Sequence, residues 1–215
     1  MDIRNEKNHR INIEKVECRE QKLARDFIGK NDIVLELGAR YGSVSCVINA
    51  NLKNKLNQLS VEPDDRVWEA LERNKKENGC EFHILKGFIS NVTLGLTNLD
   101  YGGGYGSTFV ETDNSKIKSY TYDEIKRQFN LDFNVLVADC EGFLERFLDE
   151  NPSIYEKMRM IIFEADQKHK CNYNKIRNNL RNYGFREVIK GHQNVWKKKK
   201  PIDIKNSLIS GLKSV

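Results

Sequence analysis

The sequence predicts an α/β fold built on a mostly parallel β-sheet that has helices on both faces. Apolar, strand-like runs alternate with amphipathic helical segments along most of the chain, which is the pattern of strand–helix–strand units. Two late runs, at 185–189 and 194–198, follow each other around Gly191 with no helix between them, and they predict an antiparallel pair at one edge. Acidic residues lie at or near the ends of four predicted strands, where parallel sheets bind their ligands.

The predicted elements begin after a polar segment at 1–12, which we expect to be frayed. Apolar residues then recur at roughly helical spacing over 13–29. Asp64 is expected near the N-cap of a later helix. In chain order, the other predicted elements are a strand at 33–37, a helix at 43–52, strands at 59–62 and 82–85 around a helix at 64–76, short strands at 107–110 and 117–120, a helix at 122–129, a strand at 133–138, a helix at 141–149, a strand at 160–163 that ends at Glu164, and a helix at 173–183.

Length and composition are typical of one soluble domain. The 215 residues are 39% hydrophobic and 31% charged, and we divide them into a helical extension at 1–30, a main domain at 31–200 and a tail at 201–215. No run approaches the roughly 18 apolar residues of a membrane span, and the polar start has no signal-peptide pattern, so we expect a cytoplasmic protein with no membrane partner. The five cysteines form no C-x-x-C pair, which argues against a disulfide framework or a structural zinc site.

The first predicted strand ends in a glycine turn that has an acidic residue ahead of it. Gly38 and Gly42 permit a tight turn and the close approach of a ligand to the backbone. The turn has neither the phosphate-loop pattern nor the full dinucleotide pattern of glycines. Glu36 can balance a cationic ligand, and S-adenosylmethionine carries an ammonium and a sulfonium; the alternative is a structural turn with a solvated Glu36. The residues predicted to bind the cofactor here are Glu36, Gly38, Ala39, Arg40, Tyr41, Gly42 and Ser43.

A second acidic residue ends the next strand. Glu62 follows the glycine turn at close to the spacing, about 20 residues, at which a carboxylate binds the ribose hydroxyls of a nucleotide cofactor. Pro63 and Asp64 follow it and start a helix. The preference for negative charge at a helix N-terminus explains Asp64 better than Glu62. We therefore predict that Glu62 and Pro63 line the cofactor site.

Two more strands end in closely spaced carboxylates. Asp139 and Glu141 follow one strand, and Glu164 and Asp166 end the next. Such groups can hold the cofactor's amino group, orient an acceptor hydroxyl or take its proton. A divalent metal held by oxygen ligands is a competing explanation, but no residue pattern requires it, so no metal ligand is predicted.

The order of these motifs resembles that of the FkbM-type S-adenosylmethionine-dependent methyltransferases. The resemblance covers about residues 33–166 and is carried by ELGARYG, SVEPD, SYTYDEI, VADCEGFLERFL and IIFEAD. It implies a Rossmann-like class I methyltransferase fold with a seven-stranded, mostly parallel sheet. The positions implied to line the cofactor site are Gly38, Gly42, Glu62 and Asp139, and those implied to face the methyl group and the acceptor are Asp139, Glu141 and Glu164.

Three positions depart from the family's usual pattern. Glu36 replaces an aspartate, Ala138 stands where lysine is common, and Tyr122 replaces a leucine. These departures leave the cofactor inference intact and leave the acceptor open.

The adenine of the cofactor is expected near the end of the third strand. Phe88, after Gly87, packs on the base in one interpretation and belongs to the core in the other. The glycine-rich segment 101–106 is predicted to be an acceptor loop or lid, in which Tyr101 and Tyr105 offer flat, hydrogen-bonding surfaces; a disordered insertion is the alternative.

Asp166 and His169 complete the predicted acceptor-binding residues. His169 follows the last acidic cluster along the chain, and a histidine there can act as a base near neutral pH. His192 is expected in a hairpin turn, where no role in the site is predicted for it.

Together the motifs predict methyl transfer from S-adenosylmethionine to a hydroxyl oxygen, with S-adenosylhomocysteine as product. The resemblance implies a sugar or glycan acceptor. We predict that Asp139 takes the hydroxyl proton while Glu141 or Glu164 orients the hydroxyl. An RNA methyltransferase is the first alternative, because the net charge is +5 and four lysines occupy 197–200; against it, the chain lacks the N-P-P-Y strand end used for base amines. A non-catalytic module that keeps the cofactor fold is the second.

Overall fold

A computed structural model of the chain describes residues 1–97 and 108–198. The predicted acceptor segment 101–106, with Tyr101 and Tyr105, lies outside the described residues, as does the predicted tail at 201–215. Within the described ranges, no helix has the length and hydropathy that a membrane span needs.

Helices and strands alternate through the described ranges, close to the predicted positions. The helices are α1 (Cys18–Phe27), α2 (Ser43–Asn51), α3 (Trp68–Glu77), α4 (Tyr122–Phe129), α5 (Leu144–Glu150), α6 (Ile154–Lys157) and α7 (Tyr173–Asn182). The strands are β1 (Val34–Leu37), β2 (Gln58–Glu62), β3 (His83–Lys86), β4 (Phe88–Ile89), β5 (Leu94–Thr97), β6 (Thr108–Glu111), β7 (Ser119–Tyr120), β8 (Val135–Ala138), β9 (Met160–Glu164), β10 (Phe185–Ile189) and β11 (Gln193–Lys198).

Seven of these strands form one sheet in the order β10-β11-β9-β8-β1-β2-β3. The pairs β3–β2, β2–β1, β1–β8 and β8–β9 are parallel, whereas β11 runs antiparallel to both β9 and β10. The predicted fold class and the antiparallel pair at one edge are therefore confirmed.

Alternate residues of the central strands face different helical layers. Val34 packs with residues of α1 and α2, whereas Leu35 and Leu37 pack with α4, α5, α6 and α7. Every residue of β1 is buried. A strand that is covered on both faces consists of a continuous apolar run, and such runs allow the parallel strands to be predicted from the sequence.

The small strands beside the main sheet were only partly predicted. β4 pairs with β7, and β5 pairs with β6 in an antiparallel hairpin. The sequence predicts β6, and a strand at 117–120 that contains β7, but not β4 or β5. The two residues of β4 directly follow β3 after Gly87, so they do not stand out as a separate strand, and β5 contains Gly95. The four-residue helix α6 was not predicted either, because one turn of helix is too short to show a helical periodicity.

The N-terminal segment is not frayed, and this expectation was wrong. Ile3 is 1% exposed, packed with α3 and the glycine turn. Asn78, the C-cap of α3, accepts from the backbone amide of Asp2 (2.9 Å), and the side-chain amide of Asn74 on α3 donates to the carbonyl of Arg4 (2.8 Å). A single buried isoleucine in a polar stretch gives no periodic signal, so its partners on a distant helix could not be inferred.

Three helices begin later than predicted. α1 starts at Cys18 because Glu17 has the left-handed φ of 55°. α3 starts at Trp68 with Val67 rather than Asp64 as its N-cap. α5 starts at Leu144 because Glu141 and Gly142 have φ values of 51° and 85°.

Candidate cofactor-binding and active site

A cleft opens at the carboxyl ends of β1, β2, β3 and β8. It encloses about 800 Å³ of empty space, part of it open to solvent. The residues that line it are Glu17, Leu37, Gly38, Arg40, Val61, Glu62, Pro63, Asp64, Gly87, Phe88, Ile89, Leu96, Thr108, Phe109, Asp139, Cys140, Glu141 and Phe143. The strand-end position agrees with the general rule for ligand sites in open α/β sheets.

The glycine turn after β1 is closely fitted to the end of β8. Gly38 has φ 88°, and a Cβ added to it would lie 1.8 Å from the carbonyl oxygen of Asp139. Gly42, the N-cap of α2, has φ 85°, and a Cβ there would lie 2.8 Å from Leu71. Both positions require glycine. Gly38 lines the cleft, where its backbone is accessible to a ligand, whereas Gly42 packs against Leu71.

Glu62 connects the glycine turn to the loop after β2. One carboxylate oxygen accepts from the amide of Arg40 (2.6 Å) and the other from the amide of Asp64 (2.7 Å). Burial raises the pKa of Glu62 to about 7, against the opposing effect of these two amides. Each oxygen has a second lone pair, so Glu62 can still accept from ligand hydroxyls.

Three aromatic residues, Phe88, Phe109 and Phe143, also line the cleft. Gly87, which precedes Phe88, has φ 151°, and a Cβ added to it would lie 2.3 Å from the carbonyl oxygen of Lys118. Phe88 is 4% exposed, so it both belongs to the core and lines the cleft. The Phe143 ring lies 6.0 Å from that of Phe88 and 5.1 Å from that of Phe109. This apolar surface suits a flat heteroaromatic base.

A smaller cavity of about 380 Å³ adjoins the cleft. Leu37, Gly38, Asp139 and Glu17 line both spaces. The carboxylates that line the smaller cavity are those of Glu17, Glu20, Glu36, Asp139 and Glu164. We call this space the acidic cavity.

Glu36 lies in the acidic cavity rather than in the larger cleft. Its Oε2 accepts from the hydroxyls of Ser45 (2.6 Å) and Ser60 (2.5 Å), whereas its Oε1 is buried without a hydrogen-bond partner. Glu36 is only 2% exposed, and burial raises its pKa to about 7. The unpartnered Oε1 is an acceptor for a donor from a ligand.

Asp139 lies where the cleft and the acidic cavity meet. Burial raises its pKa well above the usual value, and the negative charges of Glu164, Glu17 and other nearby carboxylates add to the effect. Glu141 lines the cleft beside it and accepts from the Gln167 amide at 3.0 Å. The structure thus brings together two of the three predicted catalytic carboxylates in the cleft.

Glu164 reaches the same region through the acidic cavity. It accepts from Nε2 of His192 (2.6 Å) and from the side-chain amide of Gln193 (2.5 Å), because β11 runs alongside β9. Burial and the neighbouring Glu20 raise the pKa of Glu164 to about 8. The three predicted catalytic residues therefore line two adjoining spaces that share Asp139.

Of the other predicted cofactor residues, Arg40, Pro63, Gly87 and Phe88 line the cleft, and four residues of the glycine turn, Ala39, Tyr41, Gly42 and Ser43, do not. Ala39 and Tyr41 are buried against α3, and the Tyr41 hydroxyl donates to Glu6 at 2.5 Å. Ser43 is buried, and its hydroxyl donates to Glu17.

Asp166 and His169 are not brought to the cleft. Asp166 accepts from the Gly142 amide (3.1 Å) and the Tyr173 hydroxyl (2.6 Å), so it supports the loop after β8. His169 lines a separate surface concavity, whose basic residues include Lys168, Lys170 and Arg177.

Sequence reasoning missed several cleft residues. Phe143 could have been found, because it follows the DCEG segment directly. Leu96 and Phe109 come from the β5–β6 hairpin, whose position beside the cleft no local pattern indicates. Glu17 comes from the N-terminal segment, which the sequence separates from every other site motif. In the part of the chain that the structure describes, no group of three or more His, Cys, Asp or Glu residues is arranged to hold a metal ion.

The strand order and the site together define a Rossmann-like methyltransferase fold. No family model matches the chain, and no curated protein matches it. Among solved structures, it is similar to a precorrin-6y C5,15-methyltransferase from Geobacter metallireducens GS-15, with a TM-score of 0.54 and 13% identity over 88% of this chain and 90% of that one. An rRNA methylase from Streptococcus thermophilus gives 0.52 and 8% identity over 85% and 95%. A protein of the NADB-Rossmann superfamily from Streptococcus agalactiae gives 0.51 and 9% over 91% and 77%.

Proposed function

We propose that this protein is an S-adenosylmethionine-dependent methyltransferase. The observation that carries the proposal is the cleft at the strand ends, in which the Gly38 turn, Glu62 and an aromatic wall meet Asp139. The precorrin methyltransferase and the rRNA methylase of similar fold are both described as methyl-transferring enzymes, which agrees with this function.

The residues present fit this cofactor by their chemistry. Glu62 has free lone pairs for ribose hydroxyls, and Phe88 and Phe143 offer an apolar surface for adenine. Gly38 has no side chain to obstruct a ligand at the backbone, and the unpartnered Oε1 of Glu36 can accept from an ammonium group. Ala39, Tyr41 and Ser43 are predicted from the sequence to bind the cofactor, but they are buried in the turn and support its shape rather than line the cleft.

Bound S-adenosylmethionine supplies a methyl group on a sulfonium that leaves readily, so the chain's own task is to align the acceptor and remove its proton. Asp139 is the group we propose for proton removal. Its raised pKa makes the deprotonated form a stronger base than an exposed aspartate. Glu141 lies beside it in the cleft and Glu164 beside it in the acidic cavity, so either is placed to orient a hydroxyl.

A hydroxyl of a sugar or glycan is the acceptor that we propose. The carboxylates around Asp139 would repel a phosphate group, whereas they accept hydrogen bonds from neutral hydroxyls. The resemblance of the DCEG and VEPD segments to FkbM-type enzymes supports the same acceptor.

RNA is the second candidate acceptor, and the charge at the surface favours it. Lys168 and Lys170 lie on a turn packed against Gly142, beside the cleft-lining Glu141. Arg177 lines the same concavity. A basic rim of this kind can bind a phosphate backbone without touching the cofactor.

Two measurements distinguish these functions. Calorimetry with S-adenosylhomocysteine tests the cofactor, and labelled S-adenosylmethionine offered with sugars, glycans and RNA tests the acceptor. Turnover of a hydroxyl compound supports the main proposal; turnover of RNA alone supports the second. Cofactor binding without any turnover supports a non-catalytic module, and no binding of S-adenosylhomocysteine contradicts the proposed function altogether.

A pair of charge-reversal variants sharpens the test for RNA. The double variant Lys168→Glu and Lys170→Glu reverses the charge of both lysines in the basic rim and leaves Arg177 unchanged. Lys30→Glu with Lys53→Glu makes the same change in charge at exposed positions near the amino ends of the strands. Salt-dependent RNA binding that only the first pair abolishes favours an RNA acceptor. Equal loss in both pairs indicates attraction by net charge alone.

A further inference from the structure

Glu17 is a site residue that belongs to none of the strand-end motifs. It lies just before α1, in the left-handed region at φ 55°, and it lines both the cleft and the acidic cavity. The Ser43 hydroxyl donates to its Oε2, so the N-terminal segment is tied to the start of α2 beside the glycine turn. The main sheet therefore receives part of its ligand site from residues outside it.

The residues that line the acidic cavity favour a cationic ligand. Among the described residues that line it, five are carboxylic acids and none is lysine, arginine or histidine. Buried carboxylates without a compensating positive charge are costly, and they respond by holding protons. Burial accordingly raises the pKa of Glu17, although the Ser43 hydroxyl and the positive charge of Arg40 in the adjoining cleft oppose the shift.

A second, independent observation also points to a ligand there. Oε1 of Glu36 is buried in a side chain that is 2% exposed, lines the cavity and has no hydrogen-bond partner. A buried acceptor in a folded protein is normally satisfied, so this oxygen indicates a missing donor.

We propose that Glu17 binds the α-ammonium group of the cofactor's amino-acid moiety. The inference rests on the proposed function. The aromatic wall and Glu62 suit the adenosine, and the acidic cavity adjoins that cleft at Gly38 and Asp139. The amino-acid end is the part of the cofactor that carries hydrogen-bond donors with a full positive charge. It also carries an α-carboxylate, so the proposal requires that the ammonium faces Glu17 while the α-carboxylate points away from the acidic cavity.

The proposal distinguishes Glu17 from a purely structural residue. A residue that only anchors the N-terminal segment affects every ligand of the cleft alike. A residue that binds the ammonium affects only ligands that contain the amino-acid moiety. S-adenosylhomocysteine has this moiety and 5′-methylthioadenosine lacks it, while both carry the same adenosine and a neutral sulfur.

Calorimetry with these two ligands on the wild-type chain, Glu17→Gln and Glu14→Gln tests the proposal. Glu14 lies in the same segment, is exposed and lines neither space, so its variant is the matched control. We expect Glu17→Gln to weaken S-adenosylhomocysteine binding roughly tenfold or more, because a charge-assisted hydrogen bond is lost, and to leave 5′-methylthioadenosine binding unchanged. Glu14→Gln leaves both unchanged.

Three outcomes overturn the inference. Equal affinity of Glu17→Gln and wild type for S-adenosylhomocysteine removes Glu17 from the ammonium site. Equal weakening of both ligands makes its role structural. Failure of the wild-type chain to bind either ligand contradicts the proposed function itself, and the inference with it. Thermal unfolding without ligand confirms that the variant folds; we expect it to be at least as stable as wild type, because a buried carboxyl is replaced by a neutral amide.

Discussion

A Cβ on Gly38 would lie 1.8 Å from the backbone carbonyl oxygen of Asp139. The amide of Asp139 in turn donates to the carbonyl of Leu37 at 3.0 Å. The ends of β1 and β8 are thus in contact through backbone at the point where the cleft meets the acidic cavity. This contact explains why the turn needs glycine for steric reasons as well as for its positive φ.

Gly38→Ala is expected to disrupt the site, because the methyl group overlaps a backbone atom that has no rotamer with which to move away. We expect a loss of stability of roughly 3 kcal/mol or more and a loss of S-adenosylhomocysteine binding. Gly79→Ala is the matched control: Gly79 has φ 65° but nothing within 4 Å of an added Cβ. It should cost only about 1 kcal/mol from backbone strain. Denaturant unfolding measures both variants, and equal losses would show that steric contact at Gly38 is unimportant.

Asp139→Asn is expected to abolish methyl transfer while cofactor binding is largely retained. Proton removal by a positioned base contributes about 100-fold or more to the rate, and an asparagine amide cannot take a proton. Calorimetry should find the S-adenosylhomocysteine affinity within a few-fold of wild type. Asp132→Asn, at an exposed position before β8, is the control and should keep full activity. Undiminished turnover by Asp139→Asn would remove Asp139 from the mechanism.

The pH dependence of turnover follows from the same residue. Burial and nearby carboxylates raise the pKa of Asp139 well above its ordinary value, so the base is protonated and inactive on the acid side of that pKa. The value of kcat/KM for the cofactor, which reports groups of the ligand-free protein, should therefore rise with pH over a range well above that of an exposed aspartate. A rate profile that is already flat from about pH 5 upward would show that no carboxyl with a raised pKa limits the reaction.

The strand-end acids show what the sequence could predict. Glu62, Asp139 and Glu164 follow apolar strand-like runs, and a parallel sheet brings such ends to one edge. The glycine turn and the antiparallel edge pair are local patterns as well. These features depend on short stretches of chain and on one rule of topology, so they could be inferred without coordinates.

Glu36 and Glu17 show what could not be predicted. Glu36 shares the face of β1 with Val34, which packs against α2, so its side chain meets Ser45 rather than the larger cleft. Glu17 reaches the site only because the first residues of the chain pack against α3 and the glycine turn. Such long-range placement depends on packing between distant segments, which a single sequence does not reveal.

Glu36→Gln and Glu62→Gln are expected to differ in their effect on stability, although burial raises the pKa of each carboxyl from 4.5 to about 7. A raised pKa means that the folded state holds the proton more tightly than the unfolded state. The stability that each protonated group contributes is fully present below about pH 4.5 and is lost as the pH rises through about 7. The electrostatic part of replacing either carboxyl with a neutral amide should therefore raise the free energy of unfolding most above pH 7, by up to roughly 3 kcal/mol for each group.

Hydrogen bonding makes the two variants differ in stability. Glutamine at 36 can keep its oxygen on the two serine hydroxyls and put its amide where Oε1 has no partner. Glutamine at 62 must point its amide at one of two backbone N–H groups, which leaves two donors facing each other. At about pH 8 we expect Glu36→Gln to be more stable than wild type and Glu62→Gln to be at least about 2 kcal/mol less stable than Glu36→Gln. Denaturant unfolding at about pH 5 and pH 8 measures this, and equal stability of the two variants would contradict it.

Cofactor binding is expected to release protons near neutral pH. Burial raises the pKa of Glu36 to about 7, so this group is partly protonated near neutral pH before the ligand arrives, and burial raises the pKa values of Asp139 and Glu17 as well. An ammonium group placed among them lowers their pKa values and displaces protons. The affinity for S-adenosylhomocysteine should therefore rise between about pH 6 and about pH 7.5, while that for 5′-methylthioadenosine stays nearly constant. Calorimetry in two buffers of different ionisation enthalpy counts the protons directly; a binding enthalpy that is the same in both buffers would show that no carboxyl of the acidic cavity senses the cofactor's charge.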